Sequence, residues 1–230
     1  TNHSLRMMRR TKGCWSAPEK IAVTEGFSNA NPVIHHPTGR VIFGSSIRPD
    51  NDRTKNQGGL NLLVIRPKDG GWEKPVYLDP ILNSSTDNGA SFARNGNLYY
   101  NSGRKGGFGL NDLYMSEFRN NRYSKPRNLG SVLNTASFDC YPYVAPDESY
   151  LIFEAYRPEN IGRGDLYISF RDSDGRWQKP VNMGPKINSR EGRESFPQLS
   201  PDGKYFFFSS DRLGSLDAYW IDASVIDELR

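Results

Sequence analysis

Apolar residues in this chain fall in short runs bounded by turn formers, and the runs come in sets. The stretch Phe196-Pro-Gln-Leu-Ser-Pro-Asp-Gly-Lys-Tyr-Phe-Phe-Phe-Ser-Ser-Asp-Arg212 shows the design. Two apolar segments flank Pro201-Asp-Gly203, whose proline pre-sets one turn dihedral and whose glycine accepts a positive φ, so the pattern predicts two antiparallel strands. Pro146-Asp147-Glu148, Pro37-Thr38-Gly39 and Asn95-Gly96 hold the same place elsewhere. Asn61-Leu-Leu-Val, Asp112-Leu-Tyr-Met, Asp165-Leu-Tyr-Ile and Asp217-Ala-Tyr-Trp predict a third strand per set, reached through a glycine-containing loop.

An aromatic residue followed by proline three positions later marks a fourth strand, in Trp15-Ser-Ala-Pro18, Trp72-Glu-Lys-Pro75, Tyr123-Ser-Lys-Pro126 and Trp177-Gln-Lys-Pro180, at spacings of 57, 51 and 54 residues. Lys12-Gly13, Asp69-Gly70-Gly71, Asn120-Asn121 and Asp174-Gly175 precede them, so each opens the return limb of a hairpin. An apolar residue and asparagine follow in Leu82-Asn83, Leu133-Asn134 and Ile187-Asn188. The second strand of each set is read as ending in arginine, with Arg48, Arg104, Arg157 and Arg212 aligned without gaps.

Four short strands repeated every 50 residues or so predict an all-β fold, a β-propeller of four-stranded antiparallel blades whose neighbours bury each other's faces. The single domain divides into a partial blade over 1–25, blades near 26–79, 80–130, 131–184 and 185–222, and a short helical tail over 223–230 capped by Ser224. The strands before residue 25 either complete the last blade, giving four blades, or belong to a first blade of a five-bladed parent; the opening at mid-blade favours five. With 22 glycines and 15 prolines spread along the chain, a helix bundle is excluded. No stretch approaches the length of an apolar membrane span, and the basic segment from Thr1 to Cys14 has no apolar core, so no signal peptide is expected within it.

The set Ser-Pro-Asp-Gly-x-x-x-x-Phe-Ser-Ser-Asp-Arg, then glycine and Asp-x-Tyr, resembles the repeat of TolB-like propellers, WD-repeat-like modules of bacterial envelope proteins. The resemblance extends over about residues 5 to 222. The first full repeat departs most, with His35-His36 before Pro37, Thr38 in place of Asp, Asn61 in place of the third-strand Asp, and a polar insert from Pro49 to Gly59. The resemblance implies a periplasmic or extracellular module that binds a protein or a glycan.

Charge changes this picture little. A net charge of +4 falls short of the clustered basic stripe of a nucleic-acid binder, and Arg6, Arg9 and Arg10 fit one solvated strand face. Cys14 and Cys140 belong to different repeats and are expected as two unpaired thiols. His35 and His36, adjacent on a strand, point to opposite faces and make no metal site. The loop Gly103-Arg-Lys-Gly-Gly-Phe-Gly109 lies between strands and reads as a flexible hairpin loop, not a phosphate cradle.

Candidate chemistry concentrates where innermost strands begin, the position of Asn29, Asp87, Asp139 and Glu194. If they converge on a channel mouth, Asp87, Asp139 and Glu194 can serve a glycoside hydrolase or lyase, or hold a divalent cation such as calcium through oxygen ligands; otherwise they cap strand ends and bind loop amides. No cofactor is otherwise called for. Arg104 with Asp112, Arg157 with Asp165 and Arg212 with Asp217 are expected as charge-assisted ties between second and third strands. The two functional expectations are a non-catalytic binding module and a carbohydrate-active enzyme. Oligomeric state stays open, though an incomplete blade would leave a sheet edge that invites another chain.

Overall fold

The computed structural model describes residues 3–35, 38–47, 59–83 and 86–230. His36, Pro37, Arg48 and most of the polar insert lie outside the described residues. The fold is an all-β propeller of four blades, and the chain divides into two compact units, one up to Ala90 and one from Ser91 onward.

In the first unit Arg6–Met7 pairs antiparallel with Glu19–Lys20, and Arg10–Thr11 forms a hairpin with Cys14–Trp15. Blade 1 follows as inner strand Asn29–His35, then Arg40–Ser45, Asn61–Ile65 and Val76–Tyr77, hydrogen-bonded in that order. Leu5 and Ile21 pack with Val41, Phe43, Leu63 and Ile65 of the blade, so the segment before it covers one of its faces.

Blade 2 comprises Asp87–Phe92, whose strand spans the boundary between the units, Leu98–Ser102, Asp112–Ser116 and Arg127–Asn128. Blade 3 comprises Asp139–Val144, Tyr150–Ala155, Asp165–Phe170 and Val181–Asn182. Among the described residues blade 4 has three strands, Glu194–Leu199, Tyr205–Ser210 and Asp217–Asp222, followed by a 3-10 helix over Ala223–Leu229. The helix is capped by Asp222, which accepts from the Ser224 amide; Ser224, the expected cap, is a donor to it.

Alternation along each strand puts one row of side chains on each blade face. Tyr99, Leu113 and Met115 of blade 2 meet Leu151, Phe153 and Tyr167 of blade 3. Ile152, Leu166 and Ile168 of blade 3 then meet Phe206 and Phe208 of blade 4, with Val225 and Ile226 of the helix closing the rim. Each large apolar side chain buried this way contributes about 1.5–3 kcal/mol, which is why the second and third strands carry near-continuous apolar runs. Trp177 joins this filling, edge-on to Tyr99 at 6.3 Å, whereas Trp15 is 63% exposed.

Cross-strand register defines which repeat positions correspond. Asn29 faces Ser45, which faces Asn61; Asp139 faces Ala155, which faces Asp165; Glu194 faces Ser210, which faces Asp217. Ser102 faces Asp112 in the same way. Arg104, Arg157 and Arg212 stand two residues beyond these partners, and the residue at that place in blade 1 is Ile47, not Arg48. The gapless alignment is therefore one residue out in blade 1. There the acid and the arginine are both absent, replaced by neutral Asn29 and buried Ile47.

Candidate functional site

Asn29, Asp87, Asp139 and Glu194 are each the first residue of an inner strand, and all four are buried. Two residues on, each strand turns through a left-handed residue: Asn31 at φ 51°, Gly89 at 61°, Tyr141 at 49° and Phe196 at 54°. The ladders of blades 1, 3 and 4 shift register there. Proline comes next in those three blades, at Pro32, Pro142 and Pro197, where the unpaired bulge position needs no N–H. Asn29-Ala-Asn-Pro, Asp139-Cys-Tyr-Pro and Glu194-Ser-Phe-Pro are thus the sequence signal of this bulge. It brings forward residues that the repeat comparison alone passes over.

Asp139 closes its own connector. Its Oδ2 accepts from the Thr135 amide at 2.7 Å and the Thr135 hydroxyl at 2.9 Å, and its Oδ1 accepts from Arg157 at 3.3 Å. Burial pushes its pKa up, and the Thr135 bonds and the Arg157 charge oppose that rise. Glu194 repeats the device, accepting from the Ser189 amide and hydroxyl at 3.0 Å, from Ser210 Oγ at 2.6 Å and from Arg212 at 3.1 Å. Arg212 also donates to the Ile187 carbonyl, as Arg157 donates to that of Leu133. Asn29 is the neutral version: Nδ2 donates to the His3, Thr24 and Phe27 carbonyls, and Oδ1 accepts from Ser45. Asp87 is fully buried and its amide donates to the Leu60 carbonyl at 3.0 Å.

These contacts correct the expected ties. Asp112 accepts from the Phe108 and Gly109 amides and from Asn128, and Asp165 accepts from Ile161, Gly162 and Asn182. Asp217 accepts from Ser215 Oγ. The third-strand aspartate folds into its own loop, while the arginine two residues past the facing position swings back to the inner strand. Arg157 therefore pairs with Asp139 and not Asp165, Arg212 with Glu194 and not Asp217, and Arg104 bonds Ser102 and Tyr100 and not Asp112. The loop up to Gly109 is consequently anchored. A Cβ at Gly109 would strike the Thr135 and Ser137 carbonyls, which explains the glycine.

A second layer crosses between blades 3 and 4. Arg193 donates to both oxygens of fully buried Glu154, at 2.6 and 3.0 Å, and lies 5.9 Å from the Tyr141 ring centre. Burial raises the Glu154 pKa and the Arg193 pair counters it; Arg193 is held firmly protonated. The Tyr141 and Phe196 rings sit 4.3 Å apart, and the Tyr141 amide donates to Asn101 Oδ1 at 3.0 Å. Asn101 occupies in blade 2 the position of Glu154. Beside this layer, a cleft of about 550 Å³ opens between Thr135–Ser137 and the loop carrying Tyr156, Arg157, Asn160 and Arg163.

Asp139 and Glu194 are each consumed by their own connector, and no hydrogen bond joins one to the other among the described residues. The described residues hold no group of three or more His, Cys, Asp or Glu placed for a metal ion. Both cysteines are free, Cys14 exposed and Cys140 buried. No helix among the described residues is long and apolar enough to cross a membrane.

No family model matches the sequence, and no curated protein matches it. Solved structures do. Putative TolB from Agrobacterium tumefaciens is similar with a TM-score of 0.60, at 14% identity over 96% of this chain and 71% of that one. TolB from Acinetobacter baumannii gives 0.58 at 15% identity, over 90% of this chain and 44% of that one. An α-L-arabinofuranosidase from Lactobacillus brevis gives 0.59 at 13% identity, over 84% and 71%. Identities this low carry the fold and not the chemistry. With its four blades and their repeated turn and strand pattern, the chain has a TolB-like β-propeller fold.

Proposed function

We propose that the chain is a non-catalytic binding module of the bacterial envelope, periplasmic or extracellular, that presents propeller loops to a protein or glycan partner. The carrying observation is a contrast at one end of the blades. The carboxylates there are buried and bonded to their own loops, whereas Phe108, Leu110, Val132, Phe138, Leu213 and Leu216 on the loops and connectors at that end are 37–80% exposed. Exposed apolar groups held on anchored loops suit recognition. The likeness to TolB supports the compartment and the kind of partner by fold analogy only.

The likeness to an arabinofuranosidase keeps a hydrolase as the competing reading, and one experiment separates the two. The protein is incubated with aryl glycosides, α-L-arabinofuranoside among them, and titrated calorimetrically with envelope glycans and peptides. We expect no turnover, and binding of one ligand class that weakens at least tenfold in Leu110→Glu/Phe138→Glu. Turnover abolished in folded Asp139→Asn or Glu194→Gln would overturn the proposal.

A further inference from the structure

The cleft at the loops of blade 3 has walls that the neighbouring blades hold in place. On one side, the connector 135–137 receives the Leu110 amide at the Ser137 carbonyl, at 2.9 Å, and the Ser137 amide donates to Thr135 Oγ1 at 3.3 Å. On the other side, the Arg163 amide donates to the Gly192 carbonyl at 3.0 Å, and Gly162 packs so closely on the Ser189 and Gly192 carbonyls that a Cβ there would strike both. Asn160 spends its side chain within the loop 156–163 and its strand, accepting from the Arg157 amide and the Tyr167 hydroxyl and donating to the Ala155 carbonyl. The space between these walls, about 550 Å³, is therefore preformed, and its size suits a few side chains of a ligand.

The lining carries two arginines and no acid. Arg157 lies over the Tyr167 ring, 4.7 Å from its centre, and gives Nη2 to the Leu133 carbonyl and to Asp139, which leaves Nη1 without a partner among the described residues. Ser137 bonds through its backbone, so its hydroxyl is uncommitted among the described residues. Arg163 holds Asp211 through Nη2 at 2.6 Å, with its side chain 65% exposed at the rim. Asp139 is buried on Thr135 and Arg157, and Glu159, on the same loop as Arg157, is exposed outside the lining. The rest of the wall is apolar. Tyr156 gives its hydroxyl to Glu154 and keeps its ring beside the cleft, edge-on to Phe138 at 5.7 Å. Phe138 and Leu110, next to Ser137 in sequence and by hydrogen bond, are 37% and 61% exposed.

We infer that this cleft is a docking site for an acidic side chain, aspartate or glutamate, of a partner polypeptide whose neighbouring residues are apolar. The carboxylate meets Arg157 Nη1 and Ser137 Oγ, with Arg163 at the rim, and the flanking side chains lie on Leu110 and Phe138. Charge complementarity specifies the carboxylate, since a cleft with two guanidinium groups and no acid attracts an anion and repels a cation. The flanks specify a polypeptide, because Leu110 and Phe138 offer no hydrogen bond and would leave sugar hydroxyls buried without partners. The inference rests on the binding-module reading and gives the chemistry of its partner.

The test selects random heptapeptides displayed on phage against the immobilised full chain, then titrates the recovered peptides, blocked at both ends, by calorimetry. We expect the recovered peptides to carry aspartate or glutamate beside leucine, isoleucine or phenylalanine. Copies with the acid replaced by its amide should bind at least tenfold more weakly, and Ser137→Glu/Arg163→Glu, folded by circular dichroism, should lose at least as much. Recovered peptides that lack an acid, or whose amide copies bind equally well, overturn the inference and leave the binding-module reading standing. Recovery of no peptide also overturns it, and the broader reading then falls only if envelope glycans fail to bind as well. Binding of oligogalacturonate that the same double variant abolishes would overturn it by assigning the cleft to an acidic glycan.

Discussion

Arg157 reaches Asp139 at 3.3 Å without the hydroxyl that seats Arg212 on Glu194. In blade 4, Ser210 Oγ donates to Glu194 and accepts from both the backbone amide and Nε of Arg212, at 3.3 and 3.0 Å. Ser102 gives Arg104 the same two bonds. Blade 3 has Ala155 at that place, and although Asn160 takes over the Arg157 amide, the buried Nε has no partner among the described residues.

Ala155→Ser should therefore stabilise the protein. The new hydroxyl faces Asp139 across the ladder and accepts from Nε, adding two bonds for one oxygen in a site whose copy in blade 4 already holds it. A net gain of about 1 kcal/mol is expected, which for a chain of this size raises the thermal midpoint by roughly 2–4 °C. A midpoint unchanged or lowered would show that the blade 3 site cannot admit the oxygen.

Asp139→Asn should act in the opposite sense and more strongly. The Arg157 side chain is only 8% exposed and the aspartate is fully buried, so the substitution strands a guanidinium that water screens poorly. Removal of one member of such a pair costs about 3 kcal/mol. Urea unfolding measures it, and Asp139→Asn combined with Arg157→Met should recover part of the loss. Additive losses in the double variant would mean that the two side chains do not interact.

The repeat, its turns and the place of the buried polar residues at the inner-strand starts were legible because turn chemistry and strand alternation are local. Asp202 and Gly203 act within four residues of each other, so the sequence displays them whole. The partners of the arginines were not legible, since Arg157 and Asp139 meet only through a ladder containing a bulge, and a bulge moves register without changing the strand's composition. The same limit misplaced blade 1, where Arg48 follows the structural equivalent, Ile47, by one residue. The asparagines after Leu82, Leu133 and Ile187 were visible as a pattern, but their role needed the third-strand edge they return to.

Glu148 yields a prediction with a pH signature. It takes the left-handed turn position that Gly96 and Gly203 hold in the neighbouring blades, and its carboxylate reaches Tyr99 at 2.6 Å, with Asn97 and Asn95 beside it. Burial would raise its pKa, but the bonds from Tyr99, Asn97 and Asn95 and the Arg171 charge outweigh burial and hold it below the usual value. A depressed folded pKa contributes stability above the unfolded value of about 4.3 and loses it as pH falls through the folded value. Glu148→Gln should thus lie roughly 1 kcal/mol below wild type at pH 7, with the gap closing toward pH 3. A gap that stays constant from pH 3 to 8 would place the effect in shape and not in charge.

Asn188→Ala should be the more damaging change for its size, because the side chain acts as a missing strand. Its Oδ1 and Nδ2 satisfy the amide and carbonyl of Leu166 at 2.8 and 3.0 Å, and Nδ2 also holds Asn182 at 2.8 Å, all in a site 1% exposed. Alanine leaves a buried donor without a partner at the Leu166 amide, with a penalty of about 2–3 kcal/mol. Asn188→Asp is the discriminating control. Its carboxylate still accepts from the Leu166 amide but turns a second oxygen toward the Leu166 carbonyl and Asn182 Oδ1, so it should be no better than alanine at pH 7 and should recover as the acid protonates. Hydrogen exchange at the Leu166 amide reads the site directly: faster exchange in both variants is expected, and wild-type protection in Asn188→Ala would mean that water fills the place of the side chain without loss.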